Sequence, residues 1–347
     1  MTTSYIVRAI DIGYGNTKFS TSHEPGKDIS CKMFPSLAPQ TTSSDLGAGM
    51  LARRNTVQVS VNGVAYEVGA DVELAQGGMA RNRNLLTDYC RSDAYMALLK
   101  GALFNMNVLQ VDLLVLGLPV STYGQFKQEL MERTVGVHDC AGRKVLVKNV
   151  RVYPQPLGGF FDFAIRSRMF QQMSEETNLL IDPGFYTLDW LVTNGLKTVD
   201  ARSGAANDGG MGSILKVVAK AIAKDLDVDE SELGEVARID AALRGVTPLR
   251  MYGQAVDVSK YKAIGIAKAA ESINQLGHVV GRSADIGNIV LVGGGSYFYE
   301  EPLKARFPKH KIAIAHEPVY ANARGFQLIG EQRVSSIMLA STAAATI

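Results

Sequence analysis

The stretch that decides the fold is LLIDPGFYTLD, residues 179–189. Its apolar run ends in Asp182, and a glycine follows at Gly184. This order is typical of a buried strand that carries a carboxylate to a tight turn. Thr187 and Asp189 then lead into a second strand. The pattern predicts a hairpin turn that can hold a phosphate group.

The same pattern occurs earlier, in AIDIGYGNTK at residues 9–18. Aligning Asp11 with Asp182 places Gly13 on Gly184, which predicts two related lobes that face one anionic ligand. The chain after the first turn returns as a strand, and no third glycine opens a helix, so a dinucleotide-type Rossmann turn is disfavoured. The sequence also lacks the Gly-x-x-x-x-Gly-Lys-Ser/Thr run of the P-loop families.

Length and charge limit the class of protein. A chain of 347 residues exceeds the roughly 250–300 residues of a single core, which favours two lobes. Apolar residues make up 46% and charged residues 20%, as in an ordinary globular protein. The net charge of +2 gives no basis for direct nucleic-acid binding, which normally requires a concentrated basic face.

Cysteine usage and the N-terminus predict the compartment. Cys31, Cys90 and Cys140 are an odd number of widely spaced cysteines, which fit neither a disulfide framework nor a zinc site. The N-terminus lacks the features of a signal peptide, and no apolar run reaches about 18 residues. We therefore expect a cytoplasmic protein with no membrane partner.

Composition shifts along the chain predict the domain boundaries. Lobe I is expected at residues 1–165, with its core at 1–32 and 94–165 and an inserted subdomain at 33–93 that contains a hairpin turned at Asn62-Gly63. Lobe II is expected at residues 166–347, with its core at 166–212 and 286–330, a helix-rich inserted subdomain at 213–285 and a tail at 331–347. Whether this tail returns to lobe I is left open.

Periodicity predicts the main elements of both lobes. Helices are expected at residues 94–107, 123–133, 160–173 and 213–226, and strands at 111–118, 145–152 and from 288 to the glycines at 293. The segment PQPLGG, residues 154–159, is interpreted as an interruption before the next helix and as a crossing between the lobes. The glycine-rich residues 204–212 predict a helix start that offers backbone N–H groups to a ligand.

The two turns contain the groups needed to bind a phosphate with magnesium. Asp11 and Asp182 are the candidate metal ligands, because Mg²⁺ keeps much of its hydration and needs few carboxylates. Backbone N–H groups supply the anion site, Lys18 adds a positive charge, and Pro183 lacks an N–H. The candidate phosphate-binding residues are Gly13, Tyr14, Gly15, Asn16, Thr17 and Lys18 in the first turn, and Gly184, Phe185, Tyr186 and Thr187 in the second.

Each of these features also has a simpler interpretation. A single Asp-x-Gly turn is more often a plain hairpin whose Asp caps the backbone. The presence of two such turns, and of three glycines from Gly293 to Gly295 where the backbone must pass close to something, favours the phosphate site. Gln155 is either a solvated loop amide or a group that orients an attacking water, and Asn322 is a candidate helix cap.

Five short motifs in this order resemble the actin, sugar-kinase and Hsp70 ATPase superfamily. Within it, the chain is most similar to the bacterial and archaeal actin-like proteins of the ParM/StbA plasmid-segregation type. The motifs are DIGYGNTK at 11–18, FPS at 34–36, VD at 111–112, GLP at 117–119 and ANARGF at 321–326.

The resemblance implies an α/β, two-lobed actin-like (ribonuclease H-like) ATPase fold, in which each lobe is a mixed sheet flanked by helices plus an inserted subdomain. It implies that ATP or GTP binds with Mg²⁺ between the lobes, and that residues 154–159 and 321–325 connect them. It also assigns an adenosine loop at residues 291–296, which includes Gly293, Gly294, Gly295 and Ser296.

The resemblance further implies the roles of the catalytic residues. Asp11 and Asp182 lie by the metal and the attacking water, and Gln155 polarises that water. Several members of the group have an acid at this last position. Because glutamine cannot act as a base, we expect hydrolysis here to work by positioning.

The implied function is a cytoskeletal ATPase that forms head-to-tail filaments with itself and hydrolyses its nucleotide slowly to drive disassembly. The family segregates plasmid DNA through a DNA-binding adaptor. One alternative is a small-molecule kinase of the same fold, although the sequence shows no further carboxylate to serve as its base. A second alternative is a monomeric ATP-gated binding module, which is disfavoured because no peptide-binding domain follows residue 347.

Overall fold

The computed structural model describes residues 5–24, 26–41, 53–76 and 87–344. These residues form two compact units. Unit 1 runs up to Phe170 and resumes at Tyr320, and unit 2 is Gln171–Val319. The division falls after residue 170 rather than 165, and residues 320–330, which we predicted in lobe II, belong to unit 1. The predicted inserted subdomain at 33–93 lies partly outside the described residues.

The strands are β1 (Val7–Ile12), β2 (Asn16–Ser22), β3 (Ser30–Pro35), β4 (Thr56–Val61), β5 (Val64–Gly69), β6 (Gln110–Val111), β7 (Leu113–Leu118), β8 (Gly136–Cys140), β9 (Arg143–Val147), β10 (Val150–Pro154), β11 (Thr177–Pro183), β12 (Leu188–Asn194), β13 (Lys197–Thr198), β14 (Gly204–Ala206), β15 (Arg250–Met251), β16 (Gln254–Ala255), β17 (Ile286–Leu291) and β18 (Ile312–Ile314).

The helices are α1 (Glu73–Gln76), α2 (Asp93–Asn105), α3 (Val120–Thr134), α4 (Gln155–Arg166), α5 (Phe170–Met173), α6 (Met211–Leu226), α7 (Val236–Leu243), α8 (Lys262–Val280), α9 (Ser296–Arg306) and α10 (Ala321–Ala344). Among the described residues, no helix is both long and apolar enough to cross a bilayer.

The main sheets of the two units have the same strand order. In unit 1, β1, β2 and β3 form an antiparallel meander, and β7 and then β10 extend the sheet in parallel on the other side of β1. In unit 2, β11, β12 and β13 form the meander, and β17 and then β18 extend it in parallel. The predicted α/β class with mixed sheets is therefore confirmed.

Apolar strand faces and long helices form the core of each unit. In unit 1, α10 and α4 cover β1 and β7 through a cluster that contains Val7, Ala9, Val115 and Phe326. In unit 2, the helices α6, α8 and α9 cover β11, β12 and β17 around Trp190, which is 1% exposed. Both sheets are thus fixed by helices, so the strand ends that carry the two turns have rigid supports.

The predicted periodic segments are present, with boundaries shifted by a few residues. The hairpin β4–β5 turns at Asn62 and Gly63, both with positive φ (52° and 80°), as a two-residue type I′ turn requires. The predicted helix-rich residues 213–285 contain α6, α7 and α8, together with the small β15–β16 hairpin.

The predicted interruption at residues 154–159 is wrong, because α4 begins at Gln155 and runs through this segment. The crossing between the lobes at this segment stays a prediction. Pro156 lies in the first turn of the helix, where a missing N–H costs nothing. Gly158 lies where α10 crosses, since a Cβ at this position would come within 2.4 Å of the Asn322 carbonyl oxygen. Pro156 therefore favours the start of α4, and Gly158 allows α10 to pack closely against it.

Candidate functional site

We call the two predicted turns, in which an aspartate is followed two residues later by a glycine, the acid-glycine turns. The first of them joins β1 to β2 in unit 1. Asp11 lies opposite Lys18 in the antiparallel register. Across the turn, the Gly13 amide donates a hydrogen bond of 3.1 Å to the Asn16 carbonyl oxygen. The predicted turn is therefore a closed four-residue loop with the acid immediately below it.

The Asp11 carboxylate joins three of the predicted site residues. Its Oδ2 accepts from Lys18 Nζ at 3.0 Å, and its Oδ1 accepts from Gln155 Nε2 at 2.7 Å. Asp11 is 1% exposed and Gln155 is 8% exposed. The amide of Gln155 is thus oriented with its nitrogen toward Asp11, which leaves the amide oxygen facing other groups.

The side chains of Tyr14 and Thr17 support the first turn. Tyr14 stacks on Tyr89 with ring centroids 5.3 Å apart, and the Thr17 and Ser36 hydroxyls are hydrogen-bonded at 2.9 Å. The Ser36 amide also donates to the Gly15 carbonyl oxygen at 3.0 Å. Since these side chains pack within unit 1, a ligand would meet the backbone of the turn and the Lys18 ammonium group.

The second turn joins β11 to β12 in unit 2. Asp182 lies opposite Asp189, and the Gly184 amide donates a hydrogen bond of 2.9 Å to the Thr187 carbonyl oxygen. The Thr187 hydroxyl donates to Asp189 Oδ2 at 2.5 Å. The backbone of this turn therefore repeats that of the first, with an acid where the first has a lysine.

Pro183 is the last residue of β11 and does not disrupt the turn. It lies opposite Leu188 in the register, and its carbonyl oxygen accepts a hydrogen bond from the Gly295 amide at 3.1 Å. The hydrogen bond that closes the turn begins at Gly184, the next residue. The missing N–H of proline therefore leaves the shape of the turn unchanged.

The prediction that the start of α6 offers N–H groups to a ligand is wrong for the amide of its N-cap residue and for the first two amides of the helix. These amides donate to the carbonyl oxygens of the second turn, which caps the helix. The bonds run from Met211 to Gly184 at 2.9 Å, from Gly212 to Phe185 at 2.7 Å and from Gly210 to Tyr186 at 3.1 Å. The turn thus satisfies the helix end, as buried helix termini require.

The glycine loop after β17 packs on the second turn. Gly293 has φ of 81°, and a Cβ there would lie 2.1 Å from Asp182 Oδ1. Its amide donates to the Pro318 carbonyl oxygen at 2.9 Å. The hydroxyl of Ser296, the first residue of α9, donates to the Gly293 carbonyl oxygen at 2.6 Å and so links the helix start to this loop. The close approach predicted for these glycines is therefore an approach to the Asp182 carboxylate.

The motif at residues 321–326 packs α10 against α4 within unit 1. Asn322 Oδ1 accepts from the Gly159 amide at 3.1 Å, and Arg324 forms a buried two-pronged ion pair with Asp162 at 2.9 and 2.8 Å. Asp162 was not predicted as a partner of this motif. Asp162 lies one helical turn after Gly158, on the inner face of an amphipathic helix. An acid at such a position indicates a buried partner of opposite charge.

Sequence reasoning also missed a small cavity beneath the first turn. It has a volume of about 20 Å³, and Gly13, Gln155 and Tyr95 are among its lining residues. Tyr95 lies in the first turn of α2, where Ser92 caps its amide at 3.1 Å. Burial raises the pKa of the Tyr95 hydroxyl well above its usual range, so this group is neutral and can donate a hydrogen bond.

Cys90 lies on the wall of the same cavity. Burial and the nearby Glu129 carboxylate raise the pKa of its thiol to about 11. At neutral pH the group is therefore a protonated, weakly nucleophilic thiol. Cys90 and Cys140 are both buried thiols that form no disulfide within the described residues.

The donor groups fit a hydrated magnesium ion better than a metal held by protein ligands alone. Within the described ranges, no group of three or more His, Cys, Asp or Glu side chains could enclose a metal. Mg²⁺ commonly binds one or two carboxylates together with phosphate oxygens and waters. Asp11 in unit 1 and Asp182 in unit 2 each lie at a strand end beside a glycine turn, so each by itself is a carboxylate of the kind that such an ion binds.

Two protein-family models match the chain, one in each half. A model of the N-terminal domain of actin-like proteins matches residues 9–158, and a model of the C-terminal domain of the archaeal actin homologue MreB-like matches residues 180–305. Together they cover more than half of the chain. It belongs to the actin-like proteins. The gap between the two matches, residues 159–179, contains the division between the units of this actin-like chain after Phe170.

Solved structures share the fold of this actin-like protein. A ParM from a 15-stranded filament of Clostridium botulinum is 21% identical, with a TM-score of 0.72 and coverage of 95% of this chain and 100% of that chain. Ta0583, an archaeal actin homologue in complex with ADP, is 19% identical, with a TM-score of 0.68 and coverage of 94% and 99%. The actin-like protein Alp7A is 13% identical, with a TM-score of 0.70 and coverage of 97% and 99%. Among curated protein sequences, none matches the chain.

Proposed function

We propose that this actin-like protein is a filament-forming ATPase or GTPase that requires magnesium. The observation that carries the proposal is the repeated hairpin, which places an acid below a glycine turn at the same point of two sheets with the same strand order. A turn of this kind can bind phosphate through its backbone. The acid beside it suits a hydrated cation. The ADP complex of Ta0583 supports a nucleotide as the ligand.

Hydrolysis is proposed to depend on positioning. The Gln155 amide donates to Asp11 and cannot take a proton from water, so its role is to orient the attacking water, as glutamine does in other nucleotide hydrolases. Each of the two acids, Asp11 and Asp182, would bind a hydrated magnesium ion through its water shell, and the ion would offset phosphate charge. The expected turnover is slow, because no strong base takes part.

The assembled form is proposed to be a filament of identical subunits. The similar ParM was solved as a filament, and a repeated heterologous contact produces such a filament when it does not close into a ring. A role in plasmid segregation in the cytoplasm, through a DNA-binding adaptor, follows from the likeness to ParM. The net charge of +2 agrees with DNA being bound by an adaptor.

Light scattering and phosphate release, followed together after ATP or GTP is added with magnesium, test this function. We expect scattering and sedimentable polymer above a critical concentration, phosphate release that lags behind assembly, and loss of both after chelation of magnesium. A protein that never sediments, and whose turnover a sugar or another hydroxyl compound stimulates, is instead a kinase of the same fold.

Asp182→Ala tests the role of the second turn. We expect this variant to bind nucleotide and to slow phosphate release by roughly 100-fold, the lower end of the effect of a lost catalytic group. Glu271→Ala removes a largely exposed acid of the same unit (65% exposed) and is the matched control, with unchanged release. Normal phosphate release from Asp182→Ala would remove this carboxylate from the mechanism.

A further inference from the structure

The cavity beneath the first turn has the size and the polar groups of a water site. Its volume of about 20 Å³ exceeds the roughly 10–15 Å³ that one water molecule needs. Its walls include three tyrosines, two threonines and one amide side chain: Tyr14, Tyr89, Tyr95, Thr87, Thr122 and Gln155. A buried water normally makes about three hydrogen bonds, and these side chains offer enough donors and acceptors.

The buried hydroxyl of Tyr95 indicates that a hydrogen-bonding ligand occupies this cavity. Its side chain is 1% exposed, and its hydroxyl has no hydrogen-bond partner within the part of the chain that the structure describes. The ring cannot easily turn away, because it packs edge-on against Tyr89 with centroids 5.5 Å apart. Buried hydroxyls are nearly always hydrogen-bonded to protein or ordered water.

We propose that one water molecule is a fixed component of this cavity, where it accepts a hydrogen bond from Tyr95 Oη and donates one to Gln155 Oε1. Its second hydrogen is donated to Thr122 Oγ1, whose own proton points to the Pro119 carbonyl oxygen at 3.3 Å. Tyr95 thereby becomes a positioning residue for Gln155.

The geometry of Gln155 explains why this water matters. Its Nε2 is held by Asp11 at 2.7 Å, which fixes one end of the amide, and the proposed water holds the other end. A planar amide that is bonded at both ends cannot rotate about its terminal torsion. The positioning role rests on the proposed hydrolysis, whereas the water site stands independently of it.

A crystal structure of the protein tests the site directly. We expect an ordered water within about 3 Å of Tyr95 Oη, the usual length of such a bond. The proposal fails if the cavity is dry or if Tyr95 Oη is bonded directly to another protein group. This result does not depend on whether the protein hydrolyses any nucleotide.

Tyr95→Phe tests the energetic and functional consequences together. If the water is present, the variant loses a hydrogen-bonded group, so its melting temperature falls. Its kcat for phosphate release then falls by roughly tenfold with an unchanged KM, a smaller loss than the ~100-fold of a 1 Å misplacement. If the cavity is dry, the variant loses an unsatisfied hydroxyl, so its melting temperature rises and kcat is unchanged, which overturns the proposal.

Tyr66→Phe is the matched control, because Tyr66 is another buried tyrosine of unit 1 that lies outside the lining of this cavity. We expect its kcat to equal that of the unaltered protein. If the unaltered protein releases no phosphate, the proposed function fails, while the melting temperature of Tyr95→Phe and the crystal structure still decide the water site.

Discussion

The two acid-glycine turns have the same backbone but different charges across the hairpin. In unit 1, Asp11 faces Lys18 and forms an ion pair with it. In unit 2, Asp182 faces Asp189. The first turn therefore carries its own positive charge and suits a phosphate, whereas the second concentrates negative charge and suits a cation. A repeated backbone can thus present opposite charges in its two copies.

The supports of the two turns differ as well. The first is held by side chains, through the Tyr14–Tyr89 stack and the Thr17–Ser36 hydrogen bond. The second is held by backbone, because its carbonyl oxygens cap α6 and the glycine loop after β17 packs on it. We therefore expect the second turn to tolerate added atoms less well than the first.

Gly293→Ala is expected to have the largest effect. The new Cβ would meet Asp182 Oδ1 at 2.1 Å, and φ at this position is 81°, so steric overlap adds to backbone strain. We expect a loss of about 4 kcal/mol in the free energy of unfolding, since each of these terms costs roughly 1–3 kcal/mol. Urea unfolding measures it, and a loss below about 1 kcal/mol would show that the Asp182 side chain moves aside easily.

Lys18→Met is expected to cost less, about 3 kcal/mol, because it leaves the buried Asp11 carboxylate without its cation. The matched variant is the double substitution of Lys18→Met with Asp11→Asn. Removing both charges costs less than the sum of the two single substitutions, because no unpaired charge is then buried. Additive losses in urea unfolding would contradict the ion pair as the main support of Asp11.

The smallest effects are expected from alanine at the turn glycines themselves. A Cβ on Gly13 meets the flexible Lys18 Nζ at 3.2 Å, whereas a Cβ on Gly184 meets the Thr187 carbonyl oxygen at 3.2 Å. We expect a loss of at most about 1 kcal/mol for Gly184→Ala and less for Gly13→Ala, since only the first contact involves a side chain that can move. The reverse order of the two urea midpoints would contradict this difference in support.

The sequence predicted elements whose pattern is local. The apolar run of β7 is buried at every position, and the Asn62-Gly63 turn has the φ values that its residue types favour. Both acid-glycine turns were predicted for the same reason, since each is a short run of adjacent residues. The sequence did not predict that Lys18 and Gln155 both donate hydrogen bonds to Asp11, which only the folded unit shows.

The features that sequence reasoning missed depend on contacts between distant residues. Gly158 was interpreted as part of an interruption before the helix, because no neighbouring residue reveals that α10 crosses at this position. The start of α6 appeared open to a ligand because its partners lie some 25 residues earlier in the chain. The sequence did not predict that the Tyr95 hydroxyl lines a cavity, since an aromatic residue at the start of a helix usually indicates packing alone.

The way in which α10 completes unit 1 has a consequence for synthesis on the ribosome. Within the described residues, unit 2 is the continuous stretch Gln171–Val319, whereas the apolar cluster on β1 and β7 of unit 1 includes Phe326 and Ile329 of α10. At about 5–20 residues per second, these residues emerge roughly ten seconds or more after the strands they cover. During that time, the apolar faces of β1 and β7 in the nascent chain lack the side chains of α10 that pack on them. Unit 2 can therefore finish folding before unit 1.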